Sequence, residues 1–275
     1  MLLVPILKRV FSSPALVLFV TFHLFAHTTV EAATPAGQWW DATYSYRQKI
    51  TVTTGATAPV NRYNGYTTLR TMDTAALVAA SKMQADCDDL RVLWWNGTGW
   101  AELDRDLSGC NTASTQVWFK LQADVADSAS DDNYYIYYGN ATVPAGPANK
   151  NNVYVYYDDF ESYTLGAAPT GWSVIAGNAT VENDGTGKAL RMHSASANTR
   201  VNLIKNISPA EKDILVEADC KIDTSVTSNG YCGVGSRFSG TGAADETGYM
   251  GEIRYNTDQS LTQKYVSGTC TGSAP

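Results

Sequence analysis

The strongest constraint on this chain is the stretch Cys87–Cys110. It reads Cys-Asp-Asp-Leu-Arg-Val-Leu-Trp-Trp, then Asn-Gly-Thr-Gly, then Trp-Ala-Glu-Leu-Asp-Arg-Asp-Leu-Ser-Gly-Cys. Leu90–Trp95 is rich in aliphatic, β-branched and aromatic residues, and Trp100–Leu103 alternates apolar and polar. Between them Asn96-Gly97 tolerates positive φ, so the stretch specifies a β-hairpin. With the turn centred between Gly97 and Thr98, residue i faces residue 195 − i, and Cys87 faces position 108. Cys110 lies two residues further on, within reach of a disulfide if the strand ends flex or bulge. The bridge closes a loop of 22 intervening residues. A loop of that size is worth roughly 3 kcal/mol on the chain-entropy model. The alternative is two unrelated buried thiols, which an oxidising compartment disfavours.

Export is read from residues 1–32. Lys8 and Arg9 form a short basic region, Ala15–Ala26 is an apolar run of 12, and Val30-Glu31-Ala32 offers small residues for cleavage. The run is shorter than the roughly 20 residues that span a bilayer, so a cleaved signal peptide is expected and an uncleaved anchor is the alternative. No later stretch approaches spanning length, and no membrane span is expected after cleavage. Losing Lys8, Arg9 and Glu31 takes 20 Lys+Arg against 27 Asp+Glu to 18 against 26. That acidic balance argues against nucleic-acid binding and fits a secreted or cell-surface protein kept soluble by charge.

Abundant Tyr and Gly with no long helical period predict an all-β protein: two β-sandwich domains in tandem, with one short helix in the first. Strands are expected near 44–53, 66–70, 116–121 and 133–139. Asp73 is placed to cap a helix over Thr74–Met83. Pro144–Asn152 has linker composition, which sets a boundary near residue 150 between domains 33–150 and 151–275.

The ordered motifs Trp39-Trp40-Asp41, Tyr46-Arg47-Gln48-Lys49-Ile50, Lys82–Arg91, Gly109-Cys110-Asn111-Thr112, Val117-Trp118-Phe119-Lys120 and Tyr135–Asn140 resemble domain-of-unknown-function family 2341 over about residues 38–150. The resemblance implies an exported surface protein in which such modules stand beside lectin-like sandwiches, and it implies no reaction. This chain departs from the family at Leu93-Trp94-Trp95-Asn96, where polar residues are commoner.

After residue 150, short strands are expected in 153–161, 171–174, 188–192, 213–222, 230–238, 248–255 and 261–266. Asp158-Asp-Phe-Glu and Gly233-Val-Gly-Ser-Arg-Phe resemble concanavalin-like lectin and glucanase sandwiches. Cys220 and Cys232 flank a turn at Ser228-Asn229-Gly230, which predicts a second cross-strand bridge. Cys270 is then left over, and the sandwich stops early compared with those it resembles. Either further chain beyond Pro275 or a strand from a neighbouring subunit is expected to complete it.

Catalytic chemistry finds little footing. His193 is the sole histidine after residue 27, so a Ser-His-Asp or Cys-His mechanism would rest on it alone. No C-x-x-C or H-x-x-x-H spacing suggests zinc. The E-x-D-x-x-E glucanase strand has its nearest counterpart in Glu217-Ala-Asp219-Cys-Lys-Ile222, where Ile222 stands at the acid/base position. No enzymatic centre is expected. Asp158, Asp159 and Glu161 are candidate ligands for a structural calcium, against the plainer reading of solvated strand ends. Trp39, Trp40, Trp94, Trp95 and Trp100 are candidate stacking platforms for glycan or extracellular matrix, against packing inside the fold. Asn96, Asn140, Asn178 and Asn206 head sequons that would mark surface loops in a glycosylating host. The expected function is therefore glycan or matrix binding, with a structural subunit of a surface filament or adhesin, or an accessory part of a polysaccharide-degrading enzyme, as alternatives.

Overall fold

The computed structural model describes residues 38–55, 64–194, 201–207, 214–222, 231–240, 245–254 and 259–274. The signal peptide expected at 1–32 and the turn at 228–230 lie outside them. The described chain is nearly all-β with one short α-helix.

In the first half β1 (Tyr46–Thr53), β2 (Thr67–Met72), α1 (Thr74–Ala79), β3 (Arg91–Trp95), β4 (Trp100–Leu103), β5 (Arg105–Ser108), β6 (Thr115–Lys120) and β7 (Ser130–Tyr138) follow in order. They form two antiparallel sheets, β1-β7-β3-β4 and β2-β6-β5. Ile50, Leu90, Val92, Leu103, Tyr134 and Ile136 from the first sheet meet Met72, Val117 and Phe119 from the second in one buried core. This is the expected sandwich arrangement.

The hairpin has the expected register, with Val92 opposite Leu103 and Trp95 opposite Trp100. It does not continue straight to Cys110. The chain leaves the first sheet at Asp104 and enters the second as β5, paired with β6. Cys87 and Cys110 are bonded with Cα atoms 6.0 Å apart, so the bridge joins the turn before β3 to the turn after β5. Beside it, the fully buried Asp89 carboxylate accepts from the Gln84, Gly139 and Asn140 amides at 3.0, 2.6 and 3.2 Å. A charged acceptor thus replaces water for three loop N–H groups.

The helix begins as expected, with Asp73 Oδ1 accepting from Ala76 N at 2.9 Å. It ends four residues early. Ser81 turns to φ 54°, Ser81 N donates to Val78 O and Lys82 N donates to Leu77 O, the paired bonds of a Schellman stop. Met83 still reaches the core, from the turn beyond the helix.

The stretch of linker composition is held against the second sheet. Asn149 N and Asn152 Nδ2 donate to the two carboxylate oxygens of Asp104 at 2.7 and 2.8 Å. Thr67 Oγ1 donates to the carbonyl of the fully buried Val153, and Lys120 Nζ to that of Tyr154. Where a strand was expected at 153–161, the chain makes a 3-10 turn at Lys150–Asn152 and a series of bends.

The outer face of the first sheet is also covered. Tyr44, Leu93, Tyr135 and Tyr137 form a second buried cluster with Trp40, Trp100 and Val143 packed against it. Of the two readings of the tryptophans, packing against the fold holds for four of the five. Alternation does send Trp94 to the core side and Trp95 to the opposite side, but that opposite side is not solvent. Trp95 is 6% exposed and edge-on to Trp100, and Trp94 and Trp100 are half-buried. Trp40 is half-buried against Tyr44. Trp39 alone of the five is open, at 41%, with the Arg47 guanidinium 4.8 Å over its ring.

The second half contains β8 (Ser173–Ala176), β9 (Asn178–Asn183), β10 (Lys188–His193), β11 (Asn202–Ile204), β12 (Tyr231–Ser239), β13 (Thr247–Arg254), β14 (Gln259–Val266) and β15 (Thr269–Ala274). They pair as β10-β9, β11-β8 and the meander β12-β13-β14-β15. The strand expected over 213–222 is absent: 214–222 has no regular structure, and Leu215 is 76% exposed. Alternation in that segment specifies a face but not a partner, and the neighbouring β12 offers Gly233 and Gly235, which supply no cross-strand contacts. Cys220 and Cys232 are nevertheless bonded, so this bridge ties an irregular segment to β12 instead of joining two paired strands. Cys270 is free and exposed on β15.

Two predictions follow from this packing. Cys87→Ala with Cys110→Ala should lower stability by about 3 kcal/mol, read from urea midpoints followed by tryptophan fluorescence. An unchanged midpoint would show that the staple does not limit the unfolded chain. Trp95→Ala should cost about 3–5 kcal/mol as a large-to-small core change, and Trp39→Ala under about 1 kcal/mol. Equal costs would contradict the placement of the two rings.

Candidate functional site

The side chains that converge on an open concavity lie in 148–163, not in the tryptophan hairpin. Val153 is the anchor: buried and hydrogen-bonded through its carbonyl to Thr67, it fixes the segment on the second sheet. The residues after it then project along a groove of about 540 Å3 lined by 148–151, 156–159, Ser162, Tyr163 and Lys205.

Asp158 organises one wall. Its Oδ2 accepts from Tyr156 Oη at 2.6 Å, Tyr163 Oη at 2.7 Å and Trp172 Nε1 at 3.1 Å, and its Oδ1 accepts from Phe160 N at 3.0 Å. Partial burial pushes the carboxyl up, but the donors from Tyr156, Tyr163, Phe160 and Trp172 together outweigh it and hold the group below its ordinary value. The same arrangement raises Tyr156 and Tyr163, first by burial and then by the hydrogen bond to a carboxylate that favours the protonated phenol. Phe160 adopts φ 62°, uncommon for a bulky residue, where its amide reaches Asp158.

Two lysines form the other charged features. Lys150 Nζ lies 3.3 Å from Asp106 Oδ2 and 4.8 Å over the Tyr157 ring. Tyr157 in turn stacks on Tyr154 at 6.2 Å, and Tyr154 Oη donates to Asp106 at 2.8 Å. Burial lowers Lys150, but Asp106 and Tyr157 more than offset it, so its value is raised. Lys205 Nζ sits 5.4 Å over the ring of Tyr156, whose edge meets Trp172.

The three residues proposed for calcium do not converge. Asp158 spends its oxygens on the four donors above, Asp159 Oδ1 accepts from Glu161 N, and Glu161 Oε1 accepts from Lys188 N. Backbone and phenol donors satisfy each carboxylate separately. Among the described residues no group of three or more His, Cys, Asp or Glu side chains is placed to hold a metal. Of the sequons, Asn96, Asn178 and Asn206 are exposed. Asn140 is buried and donates through Nδ2 to Thr43 Oγ1, so it does not mark an open loop. The Tyr-rich run 154–157 was visible in the sequence, but Lys205, some 50 residues on, carried no signal linking it to that run.

Sheet pairing and the groove define a disulfide-stapled, all-β module of the sandwich class. Residues 86–175 match the model of a family described as Domain of unknown function (DUF2341), the family that the motifs between Trp39 and Asn140 resemble. The matched stretch runs from the turn before β3 through the groove wall to β8, past the expected boundary at 150. No curated protein and no solved structure matches the chain.

Asp158 also makes the groove wall sensitive to acid. A carboxyl held below its ordinary value adds stability above the unfolded value of about 3.9, and that stability is lost as pH falls through the lower folded value. Trp172 fluorescence should therefore titrate below about pH 4, the ordinary carboxylate range, and the transition should be missing in Asp158→Asn. A transition of the same midpoint in the variant would assign it to another group.

Proposed function

We propose that this chain is an exported, non-catalytic module that binds an extracellular glycan or matrix polymer. The observation that carries the reading is the groove itself. It is an open concavity lined by phenols, ammonium groups, amides, carboxylates and a hydroxyl, side chains suited to sugar hydroxyls and their substituents. Export accords with the two disulfides, which persist in oxidising compartments. No described helix is long and apolar enough to cross a membrane. His193, on which a nucleophilic mechanism would depend, ends β10 opposite Asn178, half-buried and outside the residues that line the groove.

A second reading, a subunit of a surface filament, draws on β15. That strand is the outermost of the meander and carries the free thiol Cys270. The two readings separate experimentally. Affinity electrophoresis of the secreted chain through gels containing soluble polysaccharides should show retardation by at least one, weakened by Tyr163→Ala. No retardation by any polysaccharide would overturn the binding reading, and concentration-dependent assembly with it would favour the filament.

A further inference from the structure

The groove has a feature that the glycan reading alone does not require: its aromatic rings are already engaged. Stacking a sugar on a tyrosine needs a free ring face. Tyr157 has Lys150 over its ring and Tyr154 stacked beside it. Tyr156 has Lys205 over its ring, Trp172 against it and its hydroxyl committed to Asp158. These rings act as seats that hold ammonium groups at the groove, a cation–π arrangement that positions charge without neutralising it.

The two ammonium groups are not equivalent. Lys150 is paired with Asp106, which also receives the Tyr154 hydroxyl. Lys205 has no salt-bridge partner among the described residues, and its Nζ lies over the Tyr156 ring. Two carboxylates share the groove. The charge of Asp158 is spread over four donors, and Asp159 accepts the Glu161 amide at the rim. Lys205 is thus the cation of the groove that no carboxylate pairs with directly.

Resting on the glycan-binding reading, we propose that the groove recognises the anionic substituents of an acidic polysaccharide, with Lys205 as the principal cation and Lys150 as the second. The substituents share one chemistry, a delocalised oxyanion, whether it is a uronate carboxylate or a sulfate ester. Asp158 serves as a positioning residue, because it holds the Tyr156 ring on which Lys205 is seated at the groove.

The test uses the full secreted chain and three probes: polygalacturonate for carboxylate, dextran sulfate for sulfate and unmodified dextran as the neutral reference. Binding is read as Kd by biolayer interferometry at low and physiological salt. The expected result is binding to one or both anionic polymers, weakened at least about tenfold by rising salt, as ion pairing at an exposed site requires. Lys205→Ala should weaken it at least about tenfold, the size of a lost charge-assisted contact of about 1.4 kcal/mol. Lys205→Arg should retain most of it, and Lys264→Ala, on the meander away from the groove, should leave it unchanged. Lys205→Ala removes a half-buried side chain just after β11, so circular dichroism of that variant checks that it folds. Salt-independent binding to dextran with no loss in Lys205→Ala would overturn the acidic assignment while sparing glycan binding. Equal losses in Lys264→Ala and Lys205→Ala would overturn it as general charge attraction. Failure of all three polymers, with failure in the wider gel survey, would remove the glycan reading itself.

Discussion

The structure depends on one constraint: β3 and β7 are buried on both faces. Val92, Tyr134 and Ile136 meet the second sheet, while Leu93, Tyr135 and Tyr137 lie under the N-terminal turn and the 140–149 loop. A central strand in a one-sided sheet alternates apolar and polar, and here the runs Val-Leu-Trp-Trp and Tyr-Tyr-Ile-Tyr-Tyr do not alternate at all. The continuous apolar pattern therefore reports two covers, and each cover needs a segment held in place. The outer one is held by polar contacts. Arg91 pairs with Glu102 at 2.8 Å and donates to the Pro144 carbonyl, and Arg105 donates to the Pro147 carbonyl. Burial, with the neighbouring Arg91, lowers Arg105 to about 10, still protonated at neutral pH. A Cβ on Gly146 would lie 2.7 Å from the Arg91 guanidinium, so only glycine lets this loop close over the pair.

The second organising device is the change of sheet at Asp104. By sending β4 and β5 into different sheets, the chain makes one hairpin strand serve both halves of the sandwich. The corner would be free to splay without its ties. Cys87–Cys110 closes it covalently on one side, and the Asp104 carboxylate closes it on the other by capping the Asn149–Asn152 turn. The same carboxylate thereby fixes where the groove wall begins. The disulfide and the start of the groove wall thus meet at one corner.

What was legible followed from local rules. The Asn96-Gly97 turn set the hairpin register, Asp73 set the helix start, and the cysteine spacing identified both bonded pairs. What was missed needed a partner that local pattern does not name. The helix stopped at Ser81 because a left-handed residue there satisfies its last carbonyls, and neither glycine nor asparagine announced it. Segment 214–222 alternates as a strand should, yet among the described residues no strand pairs with it, and β12 beside it pairs with β13 alone. The tryptophan pattern is compatible with stacking and with packing alike, because it does not name the segments carrying Trp40 and Val143 that cover the second face. The acidic run at 158–161 looked like a cation site because sequence shows carboxylates but not the amides and phenols that reach them first.

That last difference bears on how such a groove can work. A carboxylate satisfied by four fixed donors is a poor metal ligand but a good rivet: its negative charge is stabilised by dipoles already in place, and in return it immobilises two phenols and an indole. Of the rings so fixed, Tyr156 lies under the Lys205 ammonium group, on a segment anchored through Val153 to a sandwich whose central strands are buried twice over. Each step passes rigidity outward, from the doubly covered sheet to the corner at Asp104, to the capped turn, to Asp158 and to the lysines. Long cationic side chains normally lose several rotamers' worth of entropy on binding, and prior seating against a ring reduces that loss. The physical logic of the fold therefore ends at one ammonium group, that of Lys205, seated on a ring and without a salt-bridge partner among the described residues, which is where recognition of an anionic substituent would begin.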